Sequence, residues 1–226
     1  MYNKPIVYTI GHSTHSLDYF IELLEEYGIN CLADIRSVPE SATSPQYNQE
    51  ALKYSLKKNK IIYLNFGDEF GARQTDPNLL DSKGKLDFDK VRNGKSFKFG
   101  LDRIRQGVEI EYVIAIMCSE SEPLDCHRFS MVSVGLEREG FEVRHILKDK
   151  TIKTNFELKK ALVKKYDKKL PQKDLFNPDV TFEEQIEAAF RLINKEIGYI
   201  PSNHQTEETN QTSGTHKIRL QSALHW

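Results

Sequence analysis

Tyr112-Val-Ile-Ala-Ile-Met117 is the most apolar short run of the chain, and it passes directly into Cys118-Ser-Glu120, Pro123 and Asp125-Cys126-His-Arg128. A run of strand length with no polar alternation is predicted to be a strand buried on both faces, central in a mostly parallel sheet. The residues after it read as a short loop and then a helix from Cys126 to about Glu139, with Asp125 as its cap. Strand, polar loop and helix in that order form one βα unit.

The same alternation extends in both directions from this segment. Upstream, Ile6 to Ile10 is a strand ending at Gly11-His12-Ser13, and Ser16 is placed to cap a helix from Leu17 to Tyr27 that Gly28 ends. Cys31 to Ile35 is a second strand, interrupted by Asp34 and followed by Arg36. Pro39 to Tyr47, rich in Ser, Thr and Pro, reads as loop. A helix over Gln49 to Asn59 leads to the apolar Ile61 to Leu64, then to a turn bracketed by Gly67 and Gly71 that carries Asp68, Glu69 and Arg73. Thr75 to Lys85 looks irregular, and a helix from about Lys90 to Gln106 stops at Gly107. Downstream, Glu142 to Leu147 is a closing strand. The expected fold is α/β: a mostly parallel sheet of about five strands flanked by helices, Rossmann-like and three-layered, with a C-terminal helical extension.

The chain divides by composition into residues 1–150, an α/β domain with a net charge of -3, and residues 151–226 with +2. Thr151 to Leu170 holds seven Lys against two acids, which reads as a solvated helix or, alternatively, as a nucleic-acid contact. The extension continues to about residue 200 through a helix with a Thr181/Glu184 capping box, and residues 201–226 are polar and expected to be disordered. The overall charge of -1 excludes bulk electrostatic coating of nucleic acid or an anionic membrane. Three cysteines, at 31, 118 and 126, give neither a disulfide framework nor a paired zinc pattern, and no 18-residue apolar stretch occurs. A soluble, cytoplasmic protein without membrane contact is expected.

Polar clusters follow three of the strands, and in a parallel sheet such strand ends share one edge, where open α/β folds bind ligands. Cys126, in the first turn of a helix beside His127 and Arg128, reads as a thiol of depressed pKa and a possible nucleophile. Glu120, just past a central strand, suits a general acid/base. His12 and Asp34 are further acid/base candidates. Ser13, Arg36, Arg73, His127 and Arg128 are candidates for substrate contact, the arginines as anion clamps beside a helix N-terminus. The structural alternatives are a small buried Cys126, an Arg128 paired with Glu120 or Asp34, and an Asp34–Arg36 ion pair. No cofactor is expected. A metal on Cys118, Cys126 and His127, with or without His12, is chemically possible, although C-x7-C-H lacks the spacing of known zinc patterns. The chain has no GxGxxG after its first strand, no GxxxxGK[ST], GxSxG or HExxH, and no zinc-deaminase signature.

Thr9-Ile-Gly-His-Ser13, Asp34-Ile-Arg36 with Pro39, Tyr63 with the Gly71/Arg73 turn, Cys118-x-Glu120, Cys126-His-Arg128 and His145-Ile146 together resemble the domain-of-unknown-function family numbered 488, over about residues 5 to 148. The resemblance implies the fold and the site but no reaction. Thr75 to Lys85 departs from the more regular glycine-rich continuation it implies. Separately, Gln172-Lys-Asp-Leu-Phe176 is similar to the bacterial sliding-clamp-binding pentapeptide, with Lys173 where leucine is usual; Leu175 and Phe176 would fill an apolar pocket and Gln172 its rim.

These readings converge on a hydrolase or transferase acting on a phosphate-bearing substrate, a nucleotide or nucleic acid, at the C-terminal edge of the sheet. The alternatives are a non-catalytic nucleotide- or DNA-associated module recruited through the tail peptide to a sliding clamp, with a role in DNA repair, and a metal-dependent hydrolase.

Overall fold

The structure, a computed structural model, describes residues 4–173 and 177–202. Six strands form one sheet: β1 (Ile6–Gly11), β2 (Cys31–Asp34), β3 (Ile62–Asn65), β4 (Ile114–Cys118), β5 (Glu142–Ile146) and β6 (Ile152–Thr154), in the order β3-β2-β4-β1-β5-β6. The first five are parallel and β6 runs antiparallel to β5. The run beginning at Tyr112 is therefore central, as its apolar character requires. β4 is buried at every position. The expected count of about five strands is one short. The sixth is a three-residue edge strand inside the Lys-rich segment, where alternation is too brief to register.

Helices cover both faces. α1 (Leu17–Glu26) and α2 (Gln49–Lys58) bury Phe20, Leu23, Leu24, Leu52 and Leu56 against Leu32, Ala115 and Met117. On the other face α3 (Gly67–Phe70), α4 (Phe88–Asn93), α5 (Lys95–Glu109) and α6 (Val134–Arg138) enclose Ala33, Phe70, Phe97, Ile116 and Leu136. Ser16 caps α1 through its side chain, which accepts from Tyr19 N–H, and Gly28 takes the positive φ of 62° that lets the chain turn back.

The helix expected over Lys90 to Gln106 is two helices, split at Gly94. α5 runs through Gly107, because a Cβ there would press to 2.9 Å on Ile114 Cδ1; the glycine serves close packing and not termination. The C-terminal extension forms α7 (Asn155–Tyr166) and α8 (Phe182–Ile197), each opened by a capping box, at Thr154/Glu157 and Thr181/Glu184. Their apolar faces meet around Leu158, Leu162, Ala189 and Ile193, and close on Phe129. Among the described residues no helix is long and apolar enough to cross a membrane.

Strand register fixes the site. Gly11 lies beside Cys118, and Asp34 beside Met117, so β1, β2 and β4 end level. The ladder continues past the strands: His12 N–H donates to Cys118 O at 3.0 Å, Ser13 N–H to Ser119 O at 2.9 Å and Ile35 N–H to Met117 O at 3.0 Å. From β1 the chain turns to α1 on one face, and from β4 towards α6 on the other. That divergence is the topological switch point at which open α/β sheets present a crevice.

Candidate active site

Two adjoining polar clusters occupy this edge. In the first, Asp34 is buried and its carboxylate is fully engaged. It accepts from Arg36 N–H at 3.0 Å, from Arg36 Nε at 2.9 Å, from Arg36 Nη2 at 2.6 Å and from the Tyr63 hydroxyl at 2.8 Å. Arg36 Nη2 also donates to Tyr47 O at 2.8 Å, and Nη1 lies 3.4 Å from His12 Nε2. Tyr47 stacks on the His12 ring with centroids 4.1 Å apart.

His12 Nδ1–H donates to Ser13 O at 2.8 Å, which leaves Nε2 as the acceptor. Burial lowers the His12 pKa to about 4, against the Ser13 bond that raises it and with the Arg36 charge assisting, so the ring is neutral at physiological pH. Asp34 and Arg36 thus form the buried ion pair. Neither the base nor the anion clamp has free capacity, and the pair instead anchors the His12 ring.

In the second cluster, Cys118 at the end of β4 and Cys126 converge on one carboxyl. Cys118 S–H donates to Glu120 Oε2 at 2.9 Å, and Cys126 Sγ stands 3.1 Å from the same oxygen. His127 Nδ1 lies 3.8 Å from Cys118 Sγ and 4.0 Å from Cys126 Sγ, while its Nε2 is buried with no hydrogen-bond partner. Cys118, Cys126 and His127 are all buried, whereas Glu120 is exposed.

The thiols are driven apart in acidity. Its hydrogen bond to Cys126, then burial, push the Cys118 thiol well above its usual range. For Cys126 burial acts upward, but the neighbouring Cys118 thiol, the Arg128 charge and His127 outweigh it and hold the thiol well below that range. Although the residue as a whole is exposed, its Oε2 is partly buried against the two sulfurs, and that burial, with the neighbouring Cys126, raises the Glu120 carboxyl.

Local structure after β4 differs from the expected helix. Pro123–Asp125 is a 3-10 turn, and Cys126 is extended. The chain then winds through a wide π turn, Arg128–Ser133, before α6. Asp125 does not cap it; Cys126 does, its Sγ accepting Arg128 N–H at 3.4 Å and its carbonyl accepting Phe129 N–H at 3.2 Å. Arg128 is 0 % exposed, with its guanidinium donating to Glu120 O and, at 2.7 Å, to Ser121 O. It is neither an anion clamp nor paired with an acid. It staples the loop that carries Glu120 to the base of the helix.

Of the sequence-predicted residues, the fold brings together His12, Ser13, Asp34 and Arg36 beside Cys118, Glu120, Cys126, His127 and Arg128. Arg73 stands apart, its side chain exposed and its backbone N–H donating to Ser37 Oγ at 2.9 Å. Cys126, expected as a nucleophile, is 1 % exposed with its sulfur between Cys118, Glu120 and the Arg128 amide. Gln172 Nε2 turns back on Asp167 O at 2.6 Å; Leu175 and Phe176 lie outside the described residues.

Sequence reading missed Tyr47 and the service of Gly11. A Cβ on Gly11 would lie 1.9 Å from Glu120 O, so only glycine admits the Glu120 loop. The signal for Gly11 was its place at a strand end before His12; Tyr47, in a polar loop, gave none.

A family model described as "Domain of unknown function DUF488" matches residues 16–134, more than half of the chain. The match takes in the Asp34–Arg36 pair and the whole segment from Cys118 to Arg128, and begins after His12. No curated protein and no solved structure matches the chain.

Proposed function

We propose, for a chain that belongs to the family described as domain of unknown function DUF488, the role of a hydrolase or transferase whose reacting centre is the Glu120 cluster. One observation carries this reading: an exposed carboxylate rests on two buried thiols, at 2.9 and 3.1 Å, at the switch point of a parallel sheet. Glu120 is the group of the cluster that reaches both solvent and the buried donors, so it is assigned the proton transfer. Neutral His12, held by Tyr47, Arg36 and Ser13 O, is assigned a supporting position at the rim.

Recognition of a phosphate-bearing substrate moves from Arg36 and Arg128, which are buried and hold other acceptors, to α7. A cavity of about 870 Å³ there is lined by Lys160, Lys164, Lys165, Lys168 and Lys169 against Asp167 and Glu196, with Tyr166 and Phe182 as apolar walls. One of its lining residues approaches the loop after β4, Lys165 Nζ lying 3.9 Å from Asp125 Oδ1.

Turnover of aryl phosphate mono- and diesters and of nucleotides tests the assignment. On a substrate the wild type turns over, Glu120→Gln is expected to lower kcat by at least about 100-fold, the lower bound for a general acid/base. Lys164→Ala/Lys168→Ala is expected to raise KM with little change in kcat. An unchanged kcat/KM in Glu120→Gln removes the proton-transfer role.

A further inference from the structure

We infer that Cys118 Sγ, Cys126 Sγ and His127 Nδ1 form a binding site for a single zinc-class transition-metal ion, its fourth coordination position facing Glu120. The three donor atoms all lie within 4.8 Å of one another and come from buried residues. In a tetrahedral zinc site, with metal–sulfur bonds of about 2.3 Å and metal–nitrogen bonds of about 2.0–2.1 Å, neighbouring donors stand roughly 3.5–3.8 Å apart. The nitrogen-to-sulfur separations of 3.8 and 4.0 Å are within a few tenths of an ångström of that spacing.

A second observation points the same way. His127 is 9 % exposed; its Nε2 has no partner, and its Nδ1 contacts only the two sulfurs at long range. An imidazole whose Nδ1 faces the two sulfurs and makes no closer hydrogen bond keeps that lone pair for an ion, with the ring proton on Nε2. Two thiolates and an imidazole select a soft or borderline cation over magnesium or calcium.

The surroundings suit the charge. Arg128 N–H donates to Cys126 Sγ at 3.4 Å, and the buried Arg128 guanidinium offsets the thiolates while fixing the loop between them. Glu120 Oε2 is closer to both sulfurs than a co-ligand would be, so on binding it draws back. Being exposed it is free to do so, leaving three protein ligands and one open position, the pattern of catalytic rather than structural zinc. This site rests on the hydrolase or transferase reading only for the use of that open position.

The full chain, purified under reducing conditions, is dialysed against Zn²⁺ or Co²⁺, and bound metal is counted by elemental analysis. One equivalent per chain is expected, with a cobalt–thiolate charge-transfer band in the near ultraviolet. Cys118→Ser and Cys126→Ser are each expected to weaken binding by more than about 100-fold, beyond what loss of an outer-shell partner produces. His127→Gln should weaken it likewise, and Glu120→Gln should retain the ion and the band.

The inference is overturned if reduced wild type holds no ion, if Cys118→Ser/Cys126→Ser binds as much as wild type, or if the two cysteines are recovered as a disulfide that reductant opens without metal uptake. Circular dichroism of each variant separates a lost ligand from a lost fold, and a folded variant that keeps the band also counts against the site. The two readings fail separately: turnover that survives metal removal but needs Glu120 sinks the ion alone, whereas a bound ion with turnover indifferent to Glu120→Gln sinks the proton-transfer role alone.

Discussion

Gly11 decides whether Glu120 reaches the thiols. Its absent Cβ is replaced in space by the Glu120 carbonyl, and the Arg128 Nη1 atom would stand 3.2 Å from that Cβ. Gly11→Ala must therefore push out backbone, which does not yield as a flexible side chain does. A loss of about 1–3 kcal/mol in unfolding free energy by urea titration is expected, as for other overpacked sites, together with a fall in the activity that depends on Glu120. An alanine variant of wild-type stability and activity would show that the loop relaxes freely.

Arg128 works from the opposite side. Arg128→Met would leave the part-buried Glu120 and Ser121 carbonyls without their donor, at no more than about 1–3 kcal/mol each. At this scale the sequence revealed which residues gather at the site but not what their donors are spent on. Strand ends named His12, Arg36, Glu120 and Arg128. The fold commits Arg36 to Asp34 and Tyr47 O, and both Arg128 Nη atoms to two carbonyls while Nε stays buried without a partner, because nothing in a sequence records which acceptors the backbone of a loop will offer.

At the scale of elements, the strand-to-helix reading held where local signals act alone. Ser16, Gly28 and the Thr181/Glu184 box set the ends of α1 and α8 as expected. It failed where tertiary contact overrides them, as with Gly107 inside α5 and Cys126 displacing Asp125 as cap.

The Lys-rich segment shows both outcomes. α7 is a helix, yet not simply a solvated one, because Leu158, Leu162 and Tyr166 are buried against α8 and Phe129 while its lysines line an open cavity. If those lysines meet phosphates, binding of a single-stranded oligonucleotide should weaken with salt. The log–log slope should drop by about 0.7 for each phosphate contact removed. Lys164→Glu/Lys168→Glu is expected to lower the slope by about 1.4 and to reduce affinity at low salt, measured by fluorescence anisotropy. An unaltered slope would return the segment to a solvated face.

Over the whole molecule, a buried histidine ties the extension to the sheet. His145 on β5 bridges Thr9 on β1 and Asn155, the first residue of α7: Nε2–H donates to Asn155 Oδ1 at 2.9 Å, and Nδ1 accepts from the Thr9 hydroxyl at 2.8 Å. Phe129, at the centre of the α7–α8 apolar cluster, sets its ring edge-on to the imidazole at 5.8 Å. Thr9, His145 and Phe129 thus join the extension to the back of the same turn that carries Cys126. Burial lowers the His145 pKa to about 3, although the Asn155 bond opposes the shift.

The sign of the pH effect follows. Unfolded, the ring titrates near its ordinary value of about 6.5. At lower pH the unfolded chain takes up a proton that the folded chain refuses, so stability is lost as pH falls from about 6.5 towards 3, and the histidine contributes no slope above pH 7. Between pH 7 and 5 this one group should remove about 2 kcal/mol of unfolding free energy, before most carboxylates titrate. His12, held to about 4, contributes in the same direction. His127, raised by its bond to Cys126 against the effect of burial, contributes in the opposite direction.

The wild-type slope is therefore a sum, and the informative quantity is its difference from His145→Gln, which keeps an amide between Thr9 and Asn155 but does not titrate. The variant is expected to be less stable at pH 7 and to lose about 2 kcal/mol less than wild type on going to pH 5, by chemical denaturation at each pH. Parallel curves would mean that the His145 ring takes up its proton as readily in the fold as in the unfolded chain, with the Thr9 hydroxyl accepting from Nδ1–H instead of donating to it while Nε2–H stays on Asn155 Oδ1.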